Sequence, residues 1–156
     1  MTPPDPRTAA EDVAPRQAWL SVLARATTAE LEDGLARWAP SQRWSLLRRP
    51  EIGMVMLRGR IGGGGDAFNL GEATVTRCAV RLADGPVGSG HVLGRDARKA
   101  ELVAVFDGLM QVPAYRDRLA PGLIEPLRGV QGRQREAAAA RAGASRVEFF
   151  TSVRGE

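Results

Sequence analysis

Four strand-like runs follow one another between Gln42 and Leu93 with only short connections: QRWSLLRR, IGMVMLRGRI, EATVTRCAVRL and PVGSGHVL. Pro50, the Gly62 to Gly65 run and Ala83-Asp84-Gly85 mark the breaks, and Asp84-Gly85 is a tight-turn signal. Consecutive strands joined this closely predict an antiparallel four-stranded meander. Helical patterns lie on both sides of it, so the fold class expected is α+β.

Two short amphipathic helices precede the strands. Pro15 suits a first helical turn, and Trp19, Val22, Leu23 and Ala26 recur on one face. Thr27 with Glu30 three residues on is a capping-box signature for a second helix, whose stripe is Leu31, Leu35 and Trp38 and which Pro40 closes. After the strands, Asp96 is placed to cap a third helix with Leu102, Val103, Phe106, Leu109 and Met110 at the 3.6-residue period. Pro113, Pro121 and Pro126 then divide the chain into short pieces before a helix-prone, alanine-rich stretch from Val130 to Ala142. That stretch has almost no large apolar face, so it needs something to lean on. Arg146 to Arg154 reads as a final strand, with Val147, Phe149 and Val153 on one side and Phe150 on the other. A chain end with two apolar sides is expected to be a partner interface; the alternative is that it completes the chain's own sheet. The organisation predicted is a disordered lead-in over residues 1–13 and a single domain over 14–156.

Composition narrows the class. At 156 residues, with 44% hydrophobic and 26% charged side chains, the chain has the make-up of one soluble globular domain. No apolar run approaches a membrane span, and the start lacks a basic, then apolar, secretory pattern, so a cytoplasmic, non-membrane protein is expected. The cationic side chains are all arginine except Lys99, with a net charge of +4. Arginine holds phosphate and carboxylate in a bidentate fork, so an anionic ligand, an acidic partner and nucleic acid all fit; so does a codon bias toward arginine.

Period-two alternation puts Ile52, Met54, Met56, Arg58 and Arg60 on one face of the second run, and Ala73, Val75, Arg77, Ala79 and Arg81 on one face of the third. A hairpin register that aligned these faces would gather Arg58, Arg60, Arg77 and Arg81 into an anion-sized basic surface. The alternative is a solvated sheet face with snorkelling arginines. The glycine run Gly62 to Gly65 lacks the ending and following helix of a nucleotide loop and reads better as a hairpin connection. Gly88, Gly90 and Gly94 likewise lack a strand-turn-helix setting. His91 and Cys78 are the only histidine and cysteine, so no metal site is expected from this chain alone, and Cys78 reads as a small buried hydrophobe. Asp96, Glu101 and Asp107 share one helix, where capping and solvation account for them. No catalytic residue is assigned.

The blocks RQAWLSVLARA (16–26), RGRIGGGGDAFNLGEATVTRCAVRL (58–82), GPVGSGHVLGRDARKAELVAVFDGLMQ (85–111) and ASRVEFFTSVRG (144–155) resemble the G-subunit (PhnG) family of bacterial carbon-phosphorus lyase, in order and over nearly the whole chain. The resemblance implies an accessory subunit in phosphonate catabolism, working in a core complex with the H, I and J subunits. There, a phosphonate displaces adenine from MgATP to give ribose 1-phosphonate 5-triphosphate. The I subunit carries the glycosidic-bond chemistry, with G, H and L directing it toward transfer, and the iron-sulfur J subunit later breaks the carbon-phosphorus bond. It also implies a non-autonomous part of a ribose 1-methylphosphonate 5-triphosphate synthase, with no cofactor bound by this chain alone and MgATP as a substrate of the complex. The competing classes are a basic nucleic-acid-binding protein and a small independent enzyme. The first lacks helix-turn-helix, zinc-finger or RNP-like motifs, and the second lacks an evident nucleophile, base or metal set.

Overall fold

The computed structural model describes residues 6–60, 64–83 and 85–144. Among the described residues the sheet has three antiparallel strands in the order β1-β2-β3: β1 (Trp44–Arg60), β2 (Ala67–Leu82) and β3 (Val87–Leu93). This corrects the four-stranded meander. The first two expected strands are one continuous strand of 17 residues that runs through Pro50. Among the described residues β1 is an edge strand paired only with β2, and the register slips between Leu46 and Arg48 and again between Arg48 and Glu51. A proline lacks the N–H that a central ladder demands, but at a bulged edge that donor is not required. The final strand expected over 146–154 lies outside the described residues, as do Val147, Phe149, Phe150 and Val153.

The β2–β3 register sets the packing face: Thr76 faces Val92, Cys78 faces Gly90 and Val80 faces Gly88. Thr76, Cys78, Val80, Leu82 and Val92 are buried, and α3 (Ala97–Met110) lies over them. The two glycines explain how closely. A Cβ on Gly88 would collide with the carbonyl oxygen of Ala104 and sit 2.6 Å from the amide of Gly108; one on Gly90 would collide with the carbonyl of Ala100 and sit 2.9 Å from the amide of Ala104. Ala100, Ala104 and Gly108 are four residues apart and form a stripe of small residues, so helix backbone rests directly on strand backbone. Gly88 and Gly90 of GPVGSGHVLG therefore serve packing, whereas Gly94 takes a left-handed backbone (φ 90°) with open space around it.

Opposite the sheet, α3 is covered by α1 (Pro6–Leu23), α2 (Thr28–Trp38) and α4 (Pro113–Leu119), so every residue from Leu102 to Met110 is buried. A helix enclosed on all sides is the expected outcome of its nearly continuous apolar sequence. Trp19, Val22, Leu23 and Ala26 bury as their spacing predicts, and Leu31 joins them. Thr27 caps α2 with both halves of the capping box: its hydroxyl accepts from the Glu30 amide at 3.2 Å while the Glu30 carboxylate accepts from the Thr27 amide at 2.7 Å. Pro15 lies inside α1 rather than in its first turn.

A π-helical turn, Ala120–Ile124, links α4 to α5 (Glu125–Ala144). Gly122 leaves room there for the Trp38 ring, which the guanidinium groups of Arg37 and Arg118 flank at 5.2 and 5.8 Å. The last helix starts earlier than its composition suggests. Only its first turns reach the core, through Leu127, while residues 133–144 are exposed. Gln131 ties it to α1 by donating to the Val22 carbonyl at 2.9 Å.

Candidate functional site

The β1–β2 hairpin carries all four arginines singled out from the sequence, and its register decides whether they meet. Glu51 faces Arg77, Ser45 faces Arg81, Arg58 faces Asn69 and Arg60 faces Ala67. Residues opposite one another share a face, so Arg77 and Arg81 lie on the face of Glu51 and Val75. Alternation along β1 keeps Arg58 and Arg60 with Ile52, Met54 and Met56, opposite Thr76 and Thr74. Arg58 stands seven residues along β1 from the partner of Arg77, roughly 23 Å at the usual strand rise.

The hairpin thus divides the arginines into two sets, Arg58 and Arg60 near its tip and Arg77 and Arg81 near its base, on opposite faces. All four are exposed. Arg60 donates to the carbonyl of Gly65 at 3.2 Å, which holds the hairpin end, and Arg77 sits 3.7 Å from the Glu51 carboxylate. The converging surface that the sequence suggested required all four to point one way; alternation was read correctly within each strand, but the strand-to-strand register was not legible.

Asp107 was expected to be solvated and is instead fully buried. Its Oδ1 accepts from Arg16 Nε at 3.0 Å and from Trp19 Nε1 at 3.0 Å; its Oδ2 accepts from Arg16 Nη2 at 2.6 Å and from the Ser89 amide at 2.9 Å. This one carboxylate joins α1, α3 and β3. The hydrogen bonds to Asp107 raise the Arg16 pKa further above its already high ordinary value. A buried carboxylate without donors is costly, and four donors explain why Asp107 persists in the core. The sequence signal was weak but present: Asp107 follows Phe106 on the most apolar helix of the chain.

Cys78 is buried and donates its thiol to the Arg48 carbonyl at 3.3 Å. Burial, followed by the nearby charge of Glu101, pushes its pKa up to about 11, which describes an unreactive thiol. His91 is exposed, across the ladder from Arg77. Glu101 accepts from the Trp44 indole at 2.8 Å, fixing the start of β1 to α3. Among the described residues, no group of three or more His, Cys, Asp or Glu could hold a metal ion, and no helix is long and apolar enough to cross a membrane.

The chain matches the sequence profile of the family described as "Phosphonate metabolism protein PhnG" over residues 14–155. It is 45% identical, over 144 residues and 92% of each chain, to a protein of Rhizobium meliloti (strain 1021) named "Alpha-D-ribose 1-methylphosphonate 5-triphosphate synthase subunit PhnG". The matched region takes in the glycine-packed β3–α3 unit, the Asp107 anchor and the β1–β2 hairpin together, and on that match the chain belongs to the PhnG family of phosphonate-metabolism proteins.

Proposed function

We propose that this chain is the G subunit of a ribose 1-methylphosphonate 5-triphosphate synthase and works as an obligate member of that complex. The observation that carries the reading is the 45% identity to a protein bearing that name, spread over 92% of both chains. In the proposed reaction a phosphonate oxygen attacks C1 of the ribose of MgATP; the bond from C1 to the adenine nitrogen breaks, and adenine leaves. The I subunit supplies the chemistry at C1, while this chain, with the H and L subunits, holds the assembly in the form that transfers to phosphonate. The J subunit belongs to the same core and acts in the later bond-breaking step. The location proposed is the cytoplasm.

The triphosphate and the phosphonate are both polyanions, so exposed arginines on the hairpin suit their surroundings. Arg58 with Arg60, and Arg77 with Arg81, are proposed as two separate anion-facing pairs, and the segment containing Val147, Phe149, Phe150 and Val153 as a contact with a partner subunit. A charge-assisted contact contributes about 1.5 to 3 kcal/mol, so the relevant alanine variants should lose roughly tenfold or more in transfer rate. Co-expression with the I subunit, followed by size-exclusion chromatography and a transfer assay, tests the reading. A stable hetero-oligomer whose transfer activity depends on this chain is expected. Separate monomers at micromolar concentration would overturn it, and wild-type kinetics in all four alanine variants of the complex would remove the anion role.

A further inference from the structure

Apart from Val13, Leu93 and Val130, every exposed large apolar side chain among the described residues lies on β1 or β2. They concentrate where the hairpin outruns the rest of the fold. β3 pairs with β2 only from Val75 to Arg81, so beyond the Gly53–Val75 pair the sheet of the described residues is two strands wide. From Ile52 to Arg60 no β1 residue is buried. That stretch is roughly 30 Å long at the usual strand rise. A bare two-stranded ribbon is at best marginal in water, and this one is apolar on both sides. Ile52 (61% exposed), Met54 (67%) and Met56 (53%) occupy one face, and Val55 (41%) and Leu57 (39%) the other.

Its outer edge is also open. Glu51 to Leu57 pair with Arg77 to Gly71 in unbroken register, and among the described residues nothing pairs the other side of β1. Edge strands are ordinarily guarded by prolines, bulges or charges. Here those devices sit at the ends: Arg48, Arg49 and Pro50 with two register slips below, and Arg58 and Arg60 with a third slip above. The seven residues between them have the length and β-rich character of a strand ready to receive another.

We infer that the β1–β2 hairpin is a docking arm that inserts into another subunit of the synthase, which adds a strand along Glu51–Leu57 and covers both faces with an apolar groove rimmed by carboxylates. The inference rests on the functional reading above and names the surface through which that assembly forms. Charge selects the occupant: at one end of the stretch Arg48 and Arg49, which lie outside the proposed anion-facing pairs, outnumber Glu51, so carboxylates on the rim are complementary. A second copy of this chain is disfavoured by the same residues. Antiparallel self-pairing about Met54 would set Arg48 against Arg60 and Pro50 against Arg58, and like charges placed directly opposite repel. A two-fold contact through one face would moreover leave the other face in water.

The test is binding of the full chain to the co-expressed remaining subunits, with Met54→Lys burdening one face and Val55→Lys the other. Each variant should bind at least tenfold more weakly while the isolated chain keeps its wild-type melting temperature. Hydrogen exchange of the Glu51–Leu57 amides should slow on assembly, a readout independent of any substitution. Wild-type affinity in both variants, or unchanged exchange in the assembled complex, overturns the docking arm and leaves the functional reading standing. Slowed exchange that follows the concentration of this chain alone would assign the arm to a second copy and also overturn it. A wild-type chain that fails to assemble overturns the functional reading itself, and the arm with it.

Discussion

Arg16 holds Asp107 in a two-pronged grip, Nε to Oδ1 at 3.0 Å and Nη2 to Oδ2 at 2.6 Å, across 91 positions of sequence. The two partners are unequally placed: the Asp107 side chain is wholly buried, whereas that of Arg16 is 38% exposed. Removing Asp107 strands the Trp19 indole N–H and the Ser89 amide, while Arg16 can turn to water. Asp107→Ala is therefore expected to cost about 3 kcal/mol, which corresponds to a fall of roughly 6 to 12 °C in melting temperature. Arg16→Ala leaves the carboxylate with the Trp19 indole and the Ser89 amide and hydroxyl as donors and should cost less, about 1 to 2 kcal/mol. Urea denaturation of both variants checks the order, and equal losses would mean that the exposed arginine carries as much as the buried acid.

Backbone contact between β3 and α3 predicts a sharp difference among glycines. Gly88→Ala and Gly90→Ala force a methyl group into helix carbonyl oxygens that cannot move without lifting α3 off the sheet. Each should lose at least about 3 kcal/mol or fail to fold. Gly132→Ala meets open space within α5 and should stabilise the chain by about 0.5 to 1 kcal/mol. Thermal melts of the three variants decide the matter. Mild effects at Gly88 and Gly90 would mean the helix stands further from the sheet than described.

Local signals read well where a residue's role depends on near neighbours. Thr27 and Glu30 form the capping box, Asp96 caps α3, and the spacing of Trp19, Val22, Leu23 and Ala26 finds the buried face of α1. Legibility fails where the deciding partner is distant in sequence. Pro50 looks like a break because a proline cannot sit in a central ladder, yet β1 lies at the edge, a fact set by which strands pair. Asp107 looks like a solvated helix residue because its donors come from residues 16, 19 and 89. The four arginines were divided by register, which period-two alternation cannot supply on its own. The apolar arm is illegible in the sequence for a related reason: Met54 and Val55 look like ordinary strand residues, and only the extent of the third strand, which stops short of them, leaves them uncovered.

Cys78 should be chemically silent in the folded chain. With its pKa pushed up to about 11 by burial, followed by the charge of Glu101, about one thiol in a thousand is ionised at pH 8, and the sulfur is enclosed as well. A disulfide reagent at pH 8 should therefore label the native chain only at the rate of unfolding and label it at once in denaturant. Rapid stoichiometric labelling of the native chain would show that β1 lifts from β2 near Arg48.

Asp96 gives a pH dependence with a definite sign. Its carboxylate accepts from the Lys99 amide at 2.8 Å and from the Thr28 hydroxyl at 2.7 Å, and these bonds, the amide first, lower its pKa below the ordinary carboxylate value of 3.8. A depressed folded-state pKa means that the stabilisation is fully present above the unfolded-state value and is lost as pH falls through the folded one. The cap also carries negative charge at the positive end of α3, a favourable placement. Asp96→Ala should thus cost about 1 kcal/mol at pH 7. That deficit should shrink below pH 4 as the wild-type carboxylate takes up its proton. Asp96→Asn retains an acceptor oxygen and cannot ionise, so it should keep most of the cap while its stability difference from Asp96→Ala stays flat with pH. Urea midpoints of the three proteins at pH 7, 4 and 2.5 make the comparison. An Asp96→Ala deficit that is the same at pH 7 and pH 2.5 would show that the charge on Asp96 contributes nothing to the start of α3.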